Sequence, residues 1–457
     1  MQFKHLNIFR FNFLQLVVLS MPLVIVNVKH ASELVILFLT IFGVYFSIRE
    51  RKLPFFHDQL KVYSYLVLAF FFSIVVSVIL SNNPIQGIHR IGSNIHFLAA
   101  PFVAYGIYKS NVDLKHIVFA IKLSIIVATV YAVYLNPGMR AEVNADSPTI
   151  FGFIMALFGF MIIIDVWAQS NKEKLFSIFV FFLATYSVVL SGTRIAWVIF
   201  VVLFFSTIFI WSIRGLLTKK RLFLILIPLA GVMAISMNDI HFNQKINYAI
   251  TEIKIYSAMK AAVVIYTFPI AEAPVEAAAA KAAAEAPVEE AAAEAKAAAG
   301  APVEEAPAAA ATKASSGAIG LRLLMWCGGF EAFKRQPIIG YGYQNTGLAA
   351  SQYIPGSYAK AFIKGQKMLH NDYVNSLVGF GILGLLALMA LLFLPLTLFF
   401  KQLKADKEFT RSAIGVLLII ALSVFAITDS IYSHSVMRSF FVFFLGVLLP
   451  VSIKKYV

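Results

Sequence analysis

The string His370-Asn371, followed by Gly381 and Gly384, holds the residue types in this chain best suited to chemistry. An imidazole changes charge between about pH 5 and 8, so it can take a proton from a hydroxyl or return one to a leaving group. If a helix runs on from His370, then His370, Val374, Leu377, Gly381 and Gly384 share one stripe. On that reading the glycines let a neighbouring helix pack closely beneath the histidine. Arg194 is the second candidate. It follows Ser191-Gly192-Thr193 in nearly continuous apolar sequence over residues 176–213, and a charge at the centre of a membrane helix costs about 2.5–3.5 kcal/mol. Either a tight turn carries Arg194 to the interface, or its guanidinium grips a phosphate through two parallel bonds. Arg322, one helical turn before Trp326, either anchors an interfacial helix at lipid headgroups or binds an anion. Arg140 lies beside Pro137-Gly138 and near Glu142 and Asp146, so it joins a basic rim or pairs with those acids. Asp429, ahead of His434 and Arg438, either orients a site group or forms a structural ion pair.

The elements that must position these side chains are membrane helices. Of the 457 residues 60% are hydrophobic and 43 are phenylalanine, and the mean hydropathy is +0.82; soluble chains sit at roughly 45–50% apolar. The spacing predicts an all-α integral membrane protein with about twelve transmembrane helices, near residues 11–28, 31–48, 62–80, 91–108, 117–135, 148–168, 174–190, 195–213, 221–237, 373–400, 411–429 and 436–452. Cations cluster in alternate connections: Arg49, Arg51 and Lys52; Lys109 and Lys115; Lys172 and Lys174; Arg214, Lys219, Lys220 and Arg221; Lys401, Lys404, Lys407 and Arg411; Lys454 and Lys455. The positive-inside rule makes these loops, and both termini, cytoplasmic. The net charge of +15 is therefore read as topology, with no nucleic-acid partner. Cys327 is the only cysteine, so no intramolecular disulfide forms.

Three regions follow. Residues 1–237 hold helices 1–9, residues 238–372 form one large loop subdomain outside the cytoplasm between helices 9 and 10, and residues 373–457 hold helices 10–12. Within the loop, residues 271–311 are nearly all Ala, Glu, Lys and Pro, with repeated Ala-Pro-Val-Glu phrases. Such a stretch has too few large apolar groups for a core, so short helices broken at Pro274, Pro287 and Pro302, or disorder, are expected. The residues around Leu321-Arg322 then turn amphipathic, as for a helix lying at the membrane surface.

His370-Asn371, Gly381 and Gly384 together resemble the motif of the bacterial O-antigen ligase family: His, then Asn, Ser or Gln, nine residues, Gly, two residues, then Gly, Thr or Tyr. The wider frame, about twelve helices with one large periplasmic loop before helix ten, agrees as well. The Ala-rich stretch is not a feature of that family. The resemblance implies a glycosyltransferase of the bacterial inner membrane with its active site in the periplasm. Its donor would be an undecaprenyl-diphosphate-linked glycan and its acceptor the lipid A-core of lipopolysaccharide, both entering from surrounding membrane lipids. The family needs an arginine in the short outer connection, where Arg194 lies, and another in the part of the loop that holds Arg322. It thus implies His370, Arg194 and Arg322 as catalytic residues and Asn371, as part of the motif, as a substrate-binding one; Arg140 and Asp429 join the substrate-binding candidates on their neighbours alone.

No cofactor and no metal are expected. The sequence lacks a phosphate-binding glycine loop, a close Asp-x-Asp pair and His/Cys clusters with zinc spacing. Related readings remain: an O-antigen polymerase, which usually spreads basic motifs over two sizeable outer loops, or a protein O-oligosaccharyltransferase. A polytopic transporter or flippase would suit the same helix count, but those chains commonly show two similar halves.

Overall fold

A computed structural model of the chain describes residues 11–81, 84–135, 141, 143–164, 166–237, 318–354, 357–403 and 409–452. Most of the loop, including its Ala-rich stretch, together with Arg140 and Glu142, lies outside the described residues. All regular structure among them is helical: α1 (Phe13–Asn27), α2 (Ala31–Arg49), α3 (Lys61–Ile79), α4 (Pro84–Ser93), α5 (Ile95–Ser110), α6 (Leu114–Leu135), α7 (Pro148–Ile163), α8 (Asn171–Ser191), α9 (Arg194–Ile213), α10 (Lys219–Met237), α11 (Ala318–Arg335), α12 (Thr346–Ser351), α13 (Ser357–Lys364), α14 (Asp372–Leu403), α15 (Phe409–Thr428) and α16 (Ser435–Ser452), with short 3-10 turns between some of them.

Seven of these, α2, α3, α6, α8, α9, α14 and α15, are long and apolar enough to cross a membrane, while α1, α7 and α16 are apolar but shorter. The protein is therefore a multi-pass membrane protein. Leu34, Ile41, Ile48, Phe72, Val130, Phe179 and Phe205 are exposed along these helices; exposed large aliphatic and aromatic groups face lipid at no cost in such a chain. At the centre stands α7, whose residues from Ile150 to its end are all buried. A helix apolar all round belongs inside a bundle. Phe153 packs against Phe425 of α15 and Phe440 of α16, at ring separations of 4.9 and 5.8 Å, and Phe158 reaches Phe440 and Phe444.

Local chemistry sets the helix ends. Ser170 and Glu173 form a reciprocal capping box at the start of α8, and Ser147 caps α7 with Pro148 in its first turn. Between α8 and α9, Gly192 takes the left-handed conformation (φ +58°) and Thr193 is extended. The apolar run over residues 176–213 is thus two helices joined by a tight turn, and Arg194 falls at the first residue of the second. The charge never sits at mid-helix, so the penalty weighed for it does not arise.

Two expectations are corrected. α11 forms, but its apolar face packs on protein: Leu321, Met325 and Ala332 are buried, and Met325 and Ala332 share a small core with Ala349, Ala350, Ile354, Leu369, Val374 and Val378. It does not lie with that face in the membrane surface. Nor is there one continuous stripe from His370 to Gly384. The helix begins at Asp372, and α14 is interrupted at Gly381 (φ +66°, ψ −161°). That conformation is open essentially to glycine alone. At the break, the loop before α12 docks edge-on: Tyr341 and Gly342 donate their N–H groups to the carbonyls of Val378 and Gly379 at 2.8 and 3.0 Å, and Ile382 N–H donates to Pro337 O at 2.8 Å. The glycine in the motif opens α14 to receive a loop rather than smoothing it for a neighbouring helix.

Candidate functional site

His370 precedes α14 in the left-handed region (φ +48°), a conformation uncommon for non-glycine residues that needs support from its surroundings. Support comes from both sides. Leu369 N–H donates to Asn375 Oδ1 at 2.7 Å, and Leu369 O accepts from Trp326 Nε1 of α11 at 2.9 Å. Asn371, buried, caps α14 by accepting from Val374 N–H at 3.0 Å. The asparagine of the motif therefore fixes the backbone beside the histidine.

His370 Nδ1 then faces Asp429 Oδ1 at 3.5 Å, and on its other side the same oxygen meets His434 Nε2 at 3.5 Å. These are electrostatic contacts, since neither ring nitrogen meets hydrogen-bond geometry. Asp429 Oδ1 also accepts from Ser430 N–H at 2.9 Å. Burial by itself would raise the Asp429 carboxyl. Its contacts with His370 and His434 outweigh that and hold it well below the ordinary carboxylate range. Asp429 thus stays ionised at neutral pH, a fixed negative charge between two imidazoles.

Asp372, which the sequence left unremarked, is fully buried and ties the start of α14 to the α15–α16 connection. It accepts from Ser430 Oγ at 2.5 Å and from Ile431 N–H at 2.7 Å. Next to His370-Asn371 it reads as an ordinary acid in a helix first turn, so its identity carried no signal. Tyr343 closes the group, its hydroxyl 2.9 Å from Ser433 Oγ and its ring stacked on Phe380.

Of the residues predicted from sequence, the structure brings His370, Asn371 and Asp429 together. Asp429 contacts the imidazole of His370 at 3.5 Å. Arg322, half-buried on α11, is one turn from the Trp326 that holds Leu369, and makes no ion pair among the described residues. Arg194 is exposed at the first turn of α9. It stands at the same end of the bundle: Trp211 Nε1 near the far end of α9 donates to Ile164 O at the far end of α7, whereas Phe153 in the first turns of α7 meets Phe425 in the last turn of α15, just before Asp429. A helix N-terminus favours an anion, so a guanidinium placed there adds to the same preference. Arg140 lies outside the described residues.

Among the described residues no group of three or more His, Cys, Asp and Glu is disposed to hold a metal ion. The arrangement offers a positioned imidazole, a carboxylate that orients it, and guanidinium groups at one end of a membrane bundle. That suits proton transfer beside an anionic leaving group.

A family model described as O-Antigen ligase matches residues 179–389, from within α8 to beyond the Gly381 break. The matched stretch contains Arg194, Arg322, His370, Asn371, Gly381 and Gly384; Asp429 and His434 follow it. No curated protein matches the chain.

Proposed function

From the match of residues 179–389 to the O-antigen ligase family model, we propose that the chain is a member of that family and transfers a glycan from undecaprenyl diphosphate to the lipid A-core of lipopolysaccharide at the periplasmic face of the bacterial inner membrane. In this reading there are twelve crossings with both termini cytoplasmic, and the large loop between α10 and α14 is periplasmic. The observation that carries it is the contact of His370 Nδ1 with Asp429.

With Nδ1 turned to the carboxylate, Nε2 is the ring nitrogen left for substrate. His370 Nε2 takes the proton of the acceptor sugar hydroxyl as its oxygen attacks the anomeric carbon. The bond from that carbon to the diphosphate breaks, and its electron pair passes to the bridging oxygen, inverting the anomeric centre. Asp429 stabilises the imidazolium that results. Arg194 and Arg322 balance the charge developing on the diphosphate, a task that preset guanidinium groups perform without a metal ion. No nucleotide sugar is available in that compartment, so the activated donor arrives on a lipid.

The test mixes purified full-length protein in detergent with lipid-linked glycan and rough lipopolysaccharide, with and without chelator. Glycosylated lipopolysaccharide is expected in both. Transfer without a sealed membrane is not transport, and a chain that forms product from no acceptor would return the transporter reading. Product only with a second lipid-linked repeat, or only with protein, would instead indicate the polymerase or protein O-oligosaccharyltransferase reading.

Lysine at either arginine keeps the charge but loses the planar fork. Arg194→Lys and Arg322→Lys are each expected to slow transfer roughly ten- to hundredfold, the worth of one charge-assisted hydrogen bond. Unchanged turnover in both variants would remove the diphosphate role.

A further inference from the structure

Arg438 of α16 is 93% buried by its 7% relative exposure, yet makes no ion pair among the described residues. One guanidinium nitrogen donates to Tyr432 O, while its Nε has no partner. Glu33, which contacts His30 at 3.8 Å, and Asp146 act on it only from a distance. A buried guanidinium without a carboxylate is a burden on the fold. Arg90, half-buried at the end of α4, brings a second positive charge toward the first, its guanidinium 5.4 Å from the centre of the Tyr343 ring. It also makes no ion pair among the described residues.

Around these arginines, several buried polar atoms point nowhere: Tyr432 OH, Ser439 Oγ, Asn94 Oδ1 and His96 Nδ1. They come from two segments that meet, the start of α5 and the start of α16; Tyr432 packs on Phe97 at 5.8 Å. Like charges gathered with the unpaired hydroxyls of Tyr432 and Ser439 describe a site for an anion. Ile85 and Ile88 on α4 are 80% and 62% exposed, which turns this short amphipathic helix toward lipid.

We propose that Arg90 and Arg438, with Tyr432 and Ser439, form an anion pocket for a phosphate group on one of the two lipid-borne substrates, beside the imidazole-carboxylate pair and in addition to Arg194 and Arg322. The proposal rests on the glycosyl-transfer reading above. A site that joins two lipid-anchored molecules must hold both heads, and Arg194 and Arg322 are assigned to only one.

The test uses full-length protein in detergent, with Arg90→Gln, Arg438→Gln and Arg438→Lys variants. Binding of fluorescent undecaprenyl diphosphate is measured directly, and KM is measured separately for donor and for rough lipopolysaccharide, intact or stripped of its core phosphates. Both Gln variants are expected to weaken one substrate roughly ten- to hundredfold and leave the other unchanged. Weaker polyprenyl-diphosphate binding identifies the donor; a raised KM that vanishes with stripped lipopolysaccharide identifies the acceptor. Arg438→Lys recovers part of the loss, and Arg438→Gln melts at or above the wild-type temperature, because an unpaired buried charge has been removed. Wild-type binding and KM for both substrates in Arg90→Gln and Arg438→Gln would overturn the pocket. So would a lower melting temperature in Arg438→Gln with an unaffected Arg90→Gln, which marks a purely structural arginine. If the wild type neither binds nor transfers either lipid, the pocket and the glycosyl-transfer reading fail together, whereas wild-type transfer with unaffected variants sinks the pocket alone.

Discussion

His370→Ala is expected to abolish glycan transfer while the chain still inserts and folds. General base catalysis contributes about 10²–10⁴ in rate, and its described neighbours are poorly placed to substitute: Asp429, held in its ionised form, stands behind the ring, and His434 lies on the far side of that carboxylate. The loss should fall on kcat. Donor binding should persist, since it depends on the arginines. Folding should be spared because His370 is partly exposed, with 26% of its side-chain surface accessible, and the bonds made by Leu369 and Asn371 on either side of it remain. Asp429→Asn tests the orienting partner: it cannot stabilise an imidazolium and should lower kcat by a comparable factor, with little change in donor affinity. Asp429 works in the reverse sense for stability. Its folded pKa is depressed, so the stability it contributes is present above the ordinary carboxylate range and is lost only as pH falls through its lower folded value. Any activity change between pH 5 and 8 therefore does not come from Asp429. Vesicles carrying His370→Ala, assayed with lipid-linked glycan and lipopolysaccharide, give the measurement. Full transfer by them would end the catalytic assignment.

Gly381→Ala is expected to be among the most destabilising single methyl additions in this chain. The backbone there is in a region costing about 1–3 kcal/mol for any other residue. An added Cβ would also stand 2.2 Å from Ile338 O and 2.3 Å from the Ile338 carbonyl carbon, backbone atoms that cannot rotate away. Relaxing either problem straightens α14 and expels the docked loop, which frees the carbonyls of Val378 and Gly379 inside a membrane protein, where unpaired polar groups are costly. The combined penalty should reach at least about 3 kcal/mol. Thermal unfolding in detergent reads it, with Gly92→Ala as the control, since a Cβ at Gly92 meets nothing within 4 Å. Transfer should be lost with it, because the loop that ends at the break carries Tyr343, and α11 beyond it steadies Leu369 beside His370. If Gly381→Ala melts with the wild type, the break is not the reason for the glycine.

Much of this protein was legible without coordinates, for reasons that lie in single residues and local spacing. Long apolar runs must become helices where no water can satisfy the backbone, and clustered cations bound those runs, so membrane character followed from composition alone. His370-Asn371, Gly381 and Gly384 pointed to the O-antigen ligase family because their spacing is a linear property. Long-range contacts are not linear. Asp429 and His434 come from a connection far along the chain, and only the packing of α14 against α15 brings that carboxylate to 3.5 Å from His370. What Asp372 and Arg438 do is not legible in the sequence for a similar reason: an acid in a helix first turn and a cation near a helix start are common, and burial is what makes them unusual. The role of Gly381 was misjudged because periodicity assumes an unbroken helix, while the break depends on a loop supplied by residues 337–342. Sequence determined which groups were available and in which solvent the chain would fold; tertiary structure decided which of them meet, because desolvation and hydrogen-bond demand act between segments that the order of residues does not place side by side.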